Sequence, residues 1–313
     1  MPVFPETAKA RAPARGLSFC IRSQIIDDGT SCQFFVYTMH MLLVHYGNLL
    51  KKFEPQYEVA RMDYQIRAER EKSQYNEGSL KRDSINKYFA HANNLLFSRM
   101  HGDAKGYMHH GAGKKALELG CELWKIWLDD PGASPRELQC INISETELET
   151  GSRLALNSRI KPVFHLMDAH KLEFQDEYFD FIYGGAILHH LDLSIALPEI
   201  SRVLKPGGFI IFVEPLNINP LSKMIRCMTP KARTLDEHAL CFKELRSIGR
   251  YFDVSLTSYQ LFSIPLSIIS MMFYDKAENP VMRFADVLDT KMQQLVPFLK
   301  YYYRYALISG YKR

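Results

Sequence analysis

The chain has 313 residues, of which 47% are apolar and 24% are charged, and its formal net charge is +4. This composition is typical of a globular protein, and it excludes a wholly disordered chain, a collagen and a disulfide scaffold. The charge is too small to indicate nucleic acid binding, for which a strongly basic surface is expected. Aromatic residues make up 12% of the chain, enough to fill a core and to line an apolar ligand pocket.

Cysteine usage favours a reducing compartment. No C-x-x-C pair occurs, so the cysteines predict neither a zinc site nor a redox motif. The six are Cys20, Cys32, Cys121, Cys140, Cys227 and Cys241. We therefore expect reduced thiols in a cytoplasmic protein, and we assign no metal ligands.

The apolar stretches are too short or too interrupted to predict a membrane span. Residues 34–50 are broken by polar side chains, and residues 261–273 fall short of the roughly 20 residues that a spanning helix needs. The second stretch is expected either to cover an apolar acceptor or to pack on a sheet.

The N-terminal third reads as a tail followed by helices. Residues 1–30 are basic and rich in Ala and Pro, which predicts a flexible tail, with a transit peptide as the alternative. Residues 31–110 predict a helical extension, because apolar residues recur at helical spacing from Leu42 to Phe53 and a charged run follows. Glycines and histidines crowd residues 101–113, which predicts a linker.

From residue 111 onward, short apolar runs alternate with helical patterns. The runs are 116–119, 137–144, 163–169, 178–185 and 208–215. Ser144 is placed to cap one helix, and a second helix spans Leu193 to Leu204 before a KPGG turn at 205–208. The last run is apolar on successive residues, as in a strand buried on both faces of a parallel sheet. The alternation predicts right-handed βαβ units in a doubly wound α/β sheet.

Two late strands, near 252–259 and 302–311, complete this prediction, with a mostly helical segment between them. In such sheets, ligands bind beyond the carboxyl ends of the strands. The residues at those ends are Gly120, Asn142, Asp168, Gly184 and Glu214.

Four ordered motifs resemble those of class I S-adenosylmethionine-dependent methyltransferases of the small-molecule type. They are ALELGC (116–121), ELQCINIS (137–144), MDAHKLEFQDEYFDFIYGGAILHHLD (167–192) and EISRVLKPGGFIIFVEPLNINP (199–220). The resemblance runs from Lys115 to the C terminus. It implies a seven-stranded Rossmann-like methyltransferase sheet with an antiparallel last strand in residues 111–313. It also implies an acceptor-side insertion at about 216–300.

The resemblance implies a role for each motif residue. Glu118 and Gly120 would face the methionine part of S-adenosylmethionine, and Asn142 and Ile143 would contact its ribose and adenine. Asp168 would accept a hydrogen bond from the adenine amino group. Other implied contacts are Met167 and Ala169 beside the adenine, and Gly184, Gly185 and Ile187 along the methyl-transfer side. His189 and His190 would border the acceptor as the catalytic residues.

Two departures from the family pattern concern cofactor affinity. The usual glycine-rich turn is here GCELW, with Glu122 and Trp124 where glycines are expected. A side chain there must turn away, or the cofactor must sit lower. Asn142 stands where the family has an acid, and it supplies a neutral hydrogen bond in place of a stronger charge-assisted one.

Two other functions remain open on these residues. A chain that has lost its glycine-rich turn is also consistent with an inactive methyltransferase-like binding protein. A nicotinamide-dependent oxidoreductase is a further alternative, although the chain lacks the second and third glycines of a G-x-G-x-x-G motif.

The acceptor is expected to be a small organic molecule of natural-product type. A hydroxyl or amine acceptor calls for a base such as His189 or His190. The abundant aromatics and the charged segment 223–238 also permit an apolar or prenyl-diphosphate acceptor, and only a diphosphate would bring Mg²⁺. The helical extension, especially residues 64–75, is expected to close over the cofactor as a lid.

Overall fold

A computed structural model describes residues 66, 69, 70, 72, 73, 90–128, 130–219 and 239–313. The predicted tail at 1–30 and most of the predicted extension lie outside this part of the chain. The helices are α1 (Ala90–Met108), α2 (Glu145–Ala155), α3 (Leu193–Val203), α4 (Phe242–Tyr251), α5 (Ser263–Phe273) and α6 (Pro280–Leu295). The strands are β1 (Lys115–Leu119), β2 (Glu137–Asn142), β3 (Val163–Leu166), β4 (Phe179–Gly185), β5 (Leu204–Pro215), β6 (Phe252–Tyr259) and β7 (Tyr305–Lys312).

The seven strands form one sheet in the order β3-β2-β1-β4-β5-β7-β6. Strands β1 to β5 pair in parallel, and β7 lies antiparallel between β5 and β6. The direction in which strands are added reverses after β3, because β2 and β3 lie on one side of β1 and β4 lies on the other. The predicted doubly wound sheet with an antiparallel last strand is therefore confirmed.

Alternate strand residues feed two cores, one on each face of the sheet. Leu117 and Ile182 point to the face covered by α3, where they join Leu197 and Ile200. The opposite face packs a second set of side chains from the same strands against both tryptophans and the end of α1. That set includes Ala116, Phe181, Tyr183, Trp124 and Trp127. Burial on both faces explains why the strands read as continuous apolar runs.

The helix that follows β2 begins as the sequence predicts. Ser144 is its N-cap, and its hydroxyl accepts a hydrogen bond from the Glu147 backbone N–H at 3.3 Å. Asp192 caps α3 in the same way, through the Ser194 backbone N–H at 2.9 Å. These caps fix where the helices start, α2 directly after the end of β2 and α3 after the loop that follows β4.

The predicted linker at 101–113 is wrong, because α1 continues to Met108 and a 3₁₀ turn follows at His109–Gly111. The glycines Gly102 and Gly106 are exposed on this helix. Met108 is buried in the second core, with Ala104 and Tyr107 packed against it. This packing outweighs the local preference of the two glycines for a turn.

The KPGG segment does end α3, but it is not a separate turn. Leu204 already pairs with Phe179, and the register shifts before Phe209 pairs with Phe181. Gly207 takes a φ of +69°, a conformation that favours glycine. The segment is thus an irregular start of β5, which then runs straight into its buried part.

Candidate functional site

A cleft opens at the carboxyl ends of β1, β2 and β3, and its empty space, including the solvent-open mouth, is about 450 Å³. Eight of the twelve predicted site residues line it: Gly120, Asn142, Ile143, Met167, Asp168, Ala169, Ile187 and His190. Glu118, Gly184, Gly185 and His189 do not. The cleft lies at the switch point of the sheet, where ligands of such folds bind.

The turn after β1 exposes backbone to the cleft. Gly120 has a φ of +112°, which only glycine adopts without strain, and its N–H donates to the Ile141 carbonyl at 2.8 Å. Of the two departures from the glycine-rich pattern, Trp124 is buried in the second core and Glu122 is exposed to solvent. Neither side chain lines the cleft, so both turn away from it.

Glu118 lies beneath this turn, and its carboxyl group is fully buried. Its Oε1 accepts from the Leu123 backbone N–H at 2.7 Å, and its Oε2 accepts from the Tyr183 hydroxyl at 2.7 Å. The Tyr183 oxygen in turn accepts from Trp127 Nε1 at 2.9 Å. Burial raises the pKa of the Glu118 carboxyl to about 7, against the lowering effect of these hydrogen bonds. Glu118 therefore holds the turn in place, and the structure does not bring it to the cleft wall.

Asn142 lies in the cleft at the end of β2, with both ends of its amide engaged. Its Oδ1 accepts from the Ser144 backbone N–H at 2.9 Å, and its Nδ2 donates to Cys121 Sγ at 3.3 Å. Each end keeps one further hydrogen-bonding position, since an amide has two donors and two acceptor lone pairs. The two contacts fix the orientation of the amide toward a ligand.

Asp168 is held by its neighbour two residues on. Its Oδ1 accepts from the His170 backbone N–H at 2.9 Å and from His170 Nδ1 at 2.6 Å. Partial burial would raise the pKa of the Asp168 carboxyl, but these hydrogen bonds outweigh it and hold the pKa below its usual value. Asp168 lines the cleft, and within the described residues its Oδ2 accepts no hydrogen bond from the protein.

His170 ties this carboxylate to the start of α3. Its Nε2 accepts from the Asp192 backbone N–H at 2.8 Å, so the ring carries its proton on Nδ1 and is neutral. Our sequence analysis did not identify His170 as a site residue. The Asp-x-His spacing is the signal, because a side-chain carboxylate readily accepts from the backbone two residues on.

Glu214 organises the loop after β4 from the end of β5. Its fully buried carboxylate accepts from the backbone N–H groups of Ile187 at 3.0 Å and Leu188 at 2.8 Å through Oε1. Through Oε2 it accepts from His189 Nδ1 at 2.8 Å and from the His189 backbone N–H at 3.3 Å. Ala186, just before, takes a φ of +54°, which is strained for a residue with a side chain. Glu214 thus stabilises a strained loop that presents Ile187 to the cleft.

The two histidines of this loop have different positions. His190 lines the cleft, whereas His189 is buried behind it on Glu214. Their rings are in contact, with centroids 4.0 Å apart. The structure therefore brings one of the two predicted catalytic residues to the cleft and places the other one layer back.

Gly184 and Gly185 allow close packing of elements around the loop. A Cβ at Gly184 would lie 2.8 Å from Ile187 and 3.0 Å from the Leu119 carbonyl, and one at Gly185 would lie 2.8 Å from Leu123. Real Cβ atoms almost never come within 3.0 Å of another group, so Gly184 allows close packing against Ile187, whereas at Gly185 the end of the Leu123 side chain could shift. The expected contact of both glycines with a methyl donor remains a prediction.

In the described part of the chain, no group of three or more His, Cys, Asp or Glu side chains could hold a metal ion. The charged segment at 223–238, which carries the conditional Mg²⁺ prediction, lies outside the described residues. Over the same described residues, no helix is both long and apolar enough to span a membrane.

Comparison with known proteins agrees with this geometry. Residues 117–212 match a family described as methyltransferase domain. A demethylmenaquinone methyltransferase of Staphylococcus haemolyticus (strain JCSC1435) is 36% identical over 110 residues, 34% of this chain and 46% of that protein. One of Staphylococcus aureus (strain MRSA252) is 36% identical over 105 residues, 33% of this chain and 43% of that protein. The chain thus spans less than half the length of these relatives.

Among solved structures, the geranyl diphosphate C-methyltransferase from Streptomyces coelicolor A3(2), in complex with Mg²⁺, geranyl diphosphate and S-adenosyl-L-homocysteine, superposes with a TM-score of 0.53. Its identity is 12%, and the match covers 81% of this chain and 99% of that one. At this identity the likeness concerns the fold alone. The fold and the matched segment both point to the same class of domain, and the cleft lies where such folds bind ligands. Residues 117–212 are thus similar to the methyltransferase domain family, and the described sheet has the Rossmann-like fold of this structural neighbour.

Proposed function

We propose that this protein transfers the methyl group of S-adenosylmethionine to a small organic acceptor. The observation that carries the proposal is the cleft at the switch point, where the Asp168 carboxylate offers an oxygen with no protein donor among the described residues. The adenine amino group is a hydrogen-bond donor of the kind that this oxygen lacks.

The residues of the cleft fit the parts of this cofactor. Gly120 leaves backbone open to close approach, and the Asn142 amide keeps a donor and an acceptor position for ribose hydroxyls. Ile143, Met167 and Ala169 supply apolar walls for a flat purine. The turn after β1 keeps this space clear, because Glu122 and Trp124 both turn away.

Bound S-adenosylmethionine supplies an electrophilic methyl group on a sulfonium. The protein's contribution is to position donor and acceptor for in-line displacement, which can be worth several kcal/mol. The loop held by Glu214 is suited to this role, because a buried carboxylate with four donors leaves it little freedom.

For a hydroxyl or amine acceptor, we propose that His190 or His189 receives the acceptor's proton. His190 borders the cleft, and His189 is oriented by its Nδ1 contact with Glu214. A histidine oriented by a carboxylate is a recurrent arrangement for a general base. A carbon acceptor would need no such base at the outset.

The names of similar proteins bear on the acceptor class. The sequence relatives are demethylmenaquinone methyltransferases by name, and the structural neighbour is a geranyl diphosphate C-methyltransferase by name. Both names support an acceptor with an apolar part, and the second also supports a diphosphate. The residues that would hold a diphosphate with Mg²⁺ are Arg226, Lys231, Arg233, Asp236 and Glu237, and they lie outside the described part of the chain.

We propose further that the predicted lid segment, residues 64–75, covers the cleft. Lys72 Nζ contacts Glu145 Oε1 at 2.9 Å. Glu145 is the first residue of α2 and follows Asn142 by three positions. This contact supports a position of Lys72 beside the cleft, as the predicted lid requires.

The test is transfer of labelled methyl from S-adenosylmethionine to a panel of small organic acceptors by the full chain. Methyl incorporation into an acceptor, lowered by Asp168→Asn at limiting S-adenosylmethionine, supports the proposal. Binding of S-adenosylhomocysteine without any transfer across the panel favours the inactive binding protein. Binding of NAD or NADP without S-adenosylhomocysteine favours the oxidoreductase.

A further inference from the structure

Arg304 lies immediately before β7, at the same edge of the sheet as the cleft. Strand β7 runs antiparallel to β5, so its first residues pair with the last residues of β5, as Tyr305 does with Pro215. The Arg304 carbonyl accepts from the Leu216 backbone N–H at 2.8 Å. Leu216 follows Glu214 by two residues, and Glu214 holds the loop that lines the cleft. The sheet order then places Arg304 past this loop, two strands from β4 and on the side away from β3.

One nitrogen of the Arg304 guanidinium is used within the protein. Nη1 donates to Asn93 Oδ1 at 3.0 Å and to Gln260 Oε1 at 3.2 Å, so both of its hydrogens are engaged. Within the described residues, Nε and Nη2 donate no hydrogen bond and the group makes no ion pair. Nε–H and one Nη2–H point in the same direction from the planar group. Together they form a fork that matches a carboxylate or a phosphate.

The other half-buried arginines of the described residues are neutralised by carboxylates. Arg99 pairs with Asp286 at 2.5 Å, and Arg202 pairs with Glu199 at 2.8 Å. Arg304 is also half-buried, but the two groups that accept from its guanidinium are neutral amides. A partly buried charge without a counter-charge is unfavourable. An anionic ligand on the open fork would supply the missing counter-charge.

The partners of Arg304 are themselves fixed, which holds the guanidinium in one position. Gln260 is buried, and its Nε2 donates to the Ala92 carbonyl at 2.7 Å at the start of α1. Its backbone takes a φ of +67°, a left-handed conformation that is strained for a residue with a side chain. Such strain clusters at binding and catalytic sites. The guanidinium also lies over the Tyr305 ring, 5.1 Å from its centroid. A ligand would therefore bind to a group that is already oriented.

We propose that Arg304 binds an anionic group of the methyl acceptor, a carboxylate or a phosphate, through Nε and Nη2. The inference rests on the proposed function and names the acceptor class within it, a small organic molecule with a negative charge at one end. Neighbouring strands lie about 4.8 Å apart, so the ends of β4 and β7 are about 10 Å apart along this edge. An acceptor of about that length would hold its anion on Arg304 and its reacting atom near His190.

The first test measures anion binding without turnover. Inorganic pyrophosphate and benzoate are titrated calorimetrically into the full chain, with and without S-adenosylhomocysteine, and the probe that binds more tightly distinguishes a phosphate from a carboxylate. Wild type should bind at least one of the two probes, and Arg304→Gln should bind it about tenfold more weakly or less.

Two further variants make this test specific. Arg304→Lys keeps the charge and loses the fork, so its affinity should lie between those of wild type and Arg304→Gln. Arg250→Gln removes an exposed arginine near the end of α4 and should bind as wild type does. Circular dichroism checks that each variant is folded. Equal binding by wild type and Arg304→Gln, or no binding of either probe by wild type, would overturn the proposal.

The second test compares acceptors that differ in charge, with labelled S-adenosylmethionine as donor. The pairs are geranyl diphosphate with geraniol, and 4-hydroxybenzoate with its methyl ester. In a pair that is used, wild type should favour the anionic member at least tenfold in kcat/KM, and Arg304→Gln should lose most of this preference through a higher KM. An acceptor used without preference for charge would reject the role of Arg304 alone. Absence of both S-adenosylhomocysteine binding and transfer would reject the proposed function.

Discussion

The Glu214 carboxylate accepts hydrogen bonds from both the ring and the backbone of His189, at 2.8 and 3.3 Å. The same carboxylate accepts hydrogen bonds from the backbone N–H groups of Ile187 and Leu188. One side chain at the end of β5 therefore fixes the conformation of the loop after β4. This loop carries Ile187 and His190 into the cleft. Sheet topology thus connects a buried acid with a loop that lines the cleft.

We predict that Glu214→Gln lowers turnover by about 10²-fold, the effect expected when a reacting group is displaced by about an ångström. The glutamine NH₂ would face the Nδ1 and the backbone N–H of His189, two donors from which the carboxylate accepts hydrogen bonds. Stability should fall as well, by about 1–3 kcal/mol in the free energy of unfolding. Steady-state kinetics and chemical denaturation measure the two effects, and Glu173→Gln, an exposed acid, is the control. Unchanged turnover would remove the positioning role of Glu214.

Asp168→Asn should weaken binding of S-adenosylhomocysteine by about 1–3 kcal/mol, because it replaces the acceptor oxygen in the cleft by a donor. The asparagine Oδ1 can keep the contacts with His170, so the loop should stay in place. Calorimetry measures the affinity. The exposed Asp176→Asn is the matched control, and equal affinities for the two variants would reject the adenine site.

Asn142→Asp should tighten binding of S-adenosylhomocysteine by about fivefold, since a carboxylate makes charge-assisted bonds roughly twice as strong as neutral ones. The aspartate keeps the acceptor for the Ser144 N–H and gives up the donor to Cys121. Asn142→Ala should weaken the same binding. A weaker complex with Asn142→Asp than with Asn142→Ala would contradict the ribose contact.

Glu118 predicts a specific dependence of stability on pH. The folded protein keeps a proton on this carboxyl up to a pKa of about 7, whereas the unfolded chain releases it near 4.5. The free energy of unfolding should therefore fall as pH rises through this window and level off above it, by about 3 kcal/mol at most. Denaturation at several pH values measures the slope. Glu118→Gln should flatten it, the exposed Glu122→Gln should not, and a slope kept in Glu118→Gln would contradict the assignment.

The contact between Lys72 and Glu145 predicts a salt-sensitive lid. Glu145→Lys should weaken binding of S-adenosylhomocysteine, and Lys72→Glu in the same chain should restore it. The effect should be small, about 1 kcal/mol or less, because both side chains are partly exposed. Calorimetry at low and high salt compares the three proteins. Equal affinities for wild type and Glu145→Lys at low salt would separate the extension from the cleft.

The sheet could be predicted from sequence because its strands are buried on both faces and its helices have clear caps, as at Ser144. The end of α1 could not, because Gly102 and Gly106 favour a turn locally and only the burial of Met108 reverses that preference. The residues at and beside the predicted strand ends include most of those that line the cleft. The sequence does not reveal which side chains turn into the protein at such an edge. It therefore predicts Glu118 and His189 as lining residues, whereas both are buried behind the cleft.

The most direct measurement of the central claim is calorimetric titration of the full-length protein with S-adenosylhomocysteine, with NAD as the comparison ligand. We predict saturable binding of one S-adenosylhomocysteine per chain, no binding of NAD, and weaker binding by Asp168→Asn. A folded wild-type protein that binds NAD, or that binds S-adenosylhomocysteine no better than Asp168→Asn does, would contradict the cleft as the site of the methyl donor.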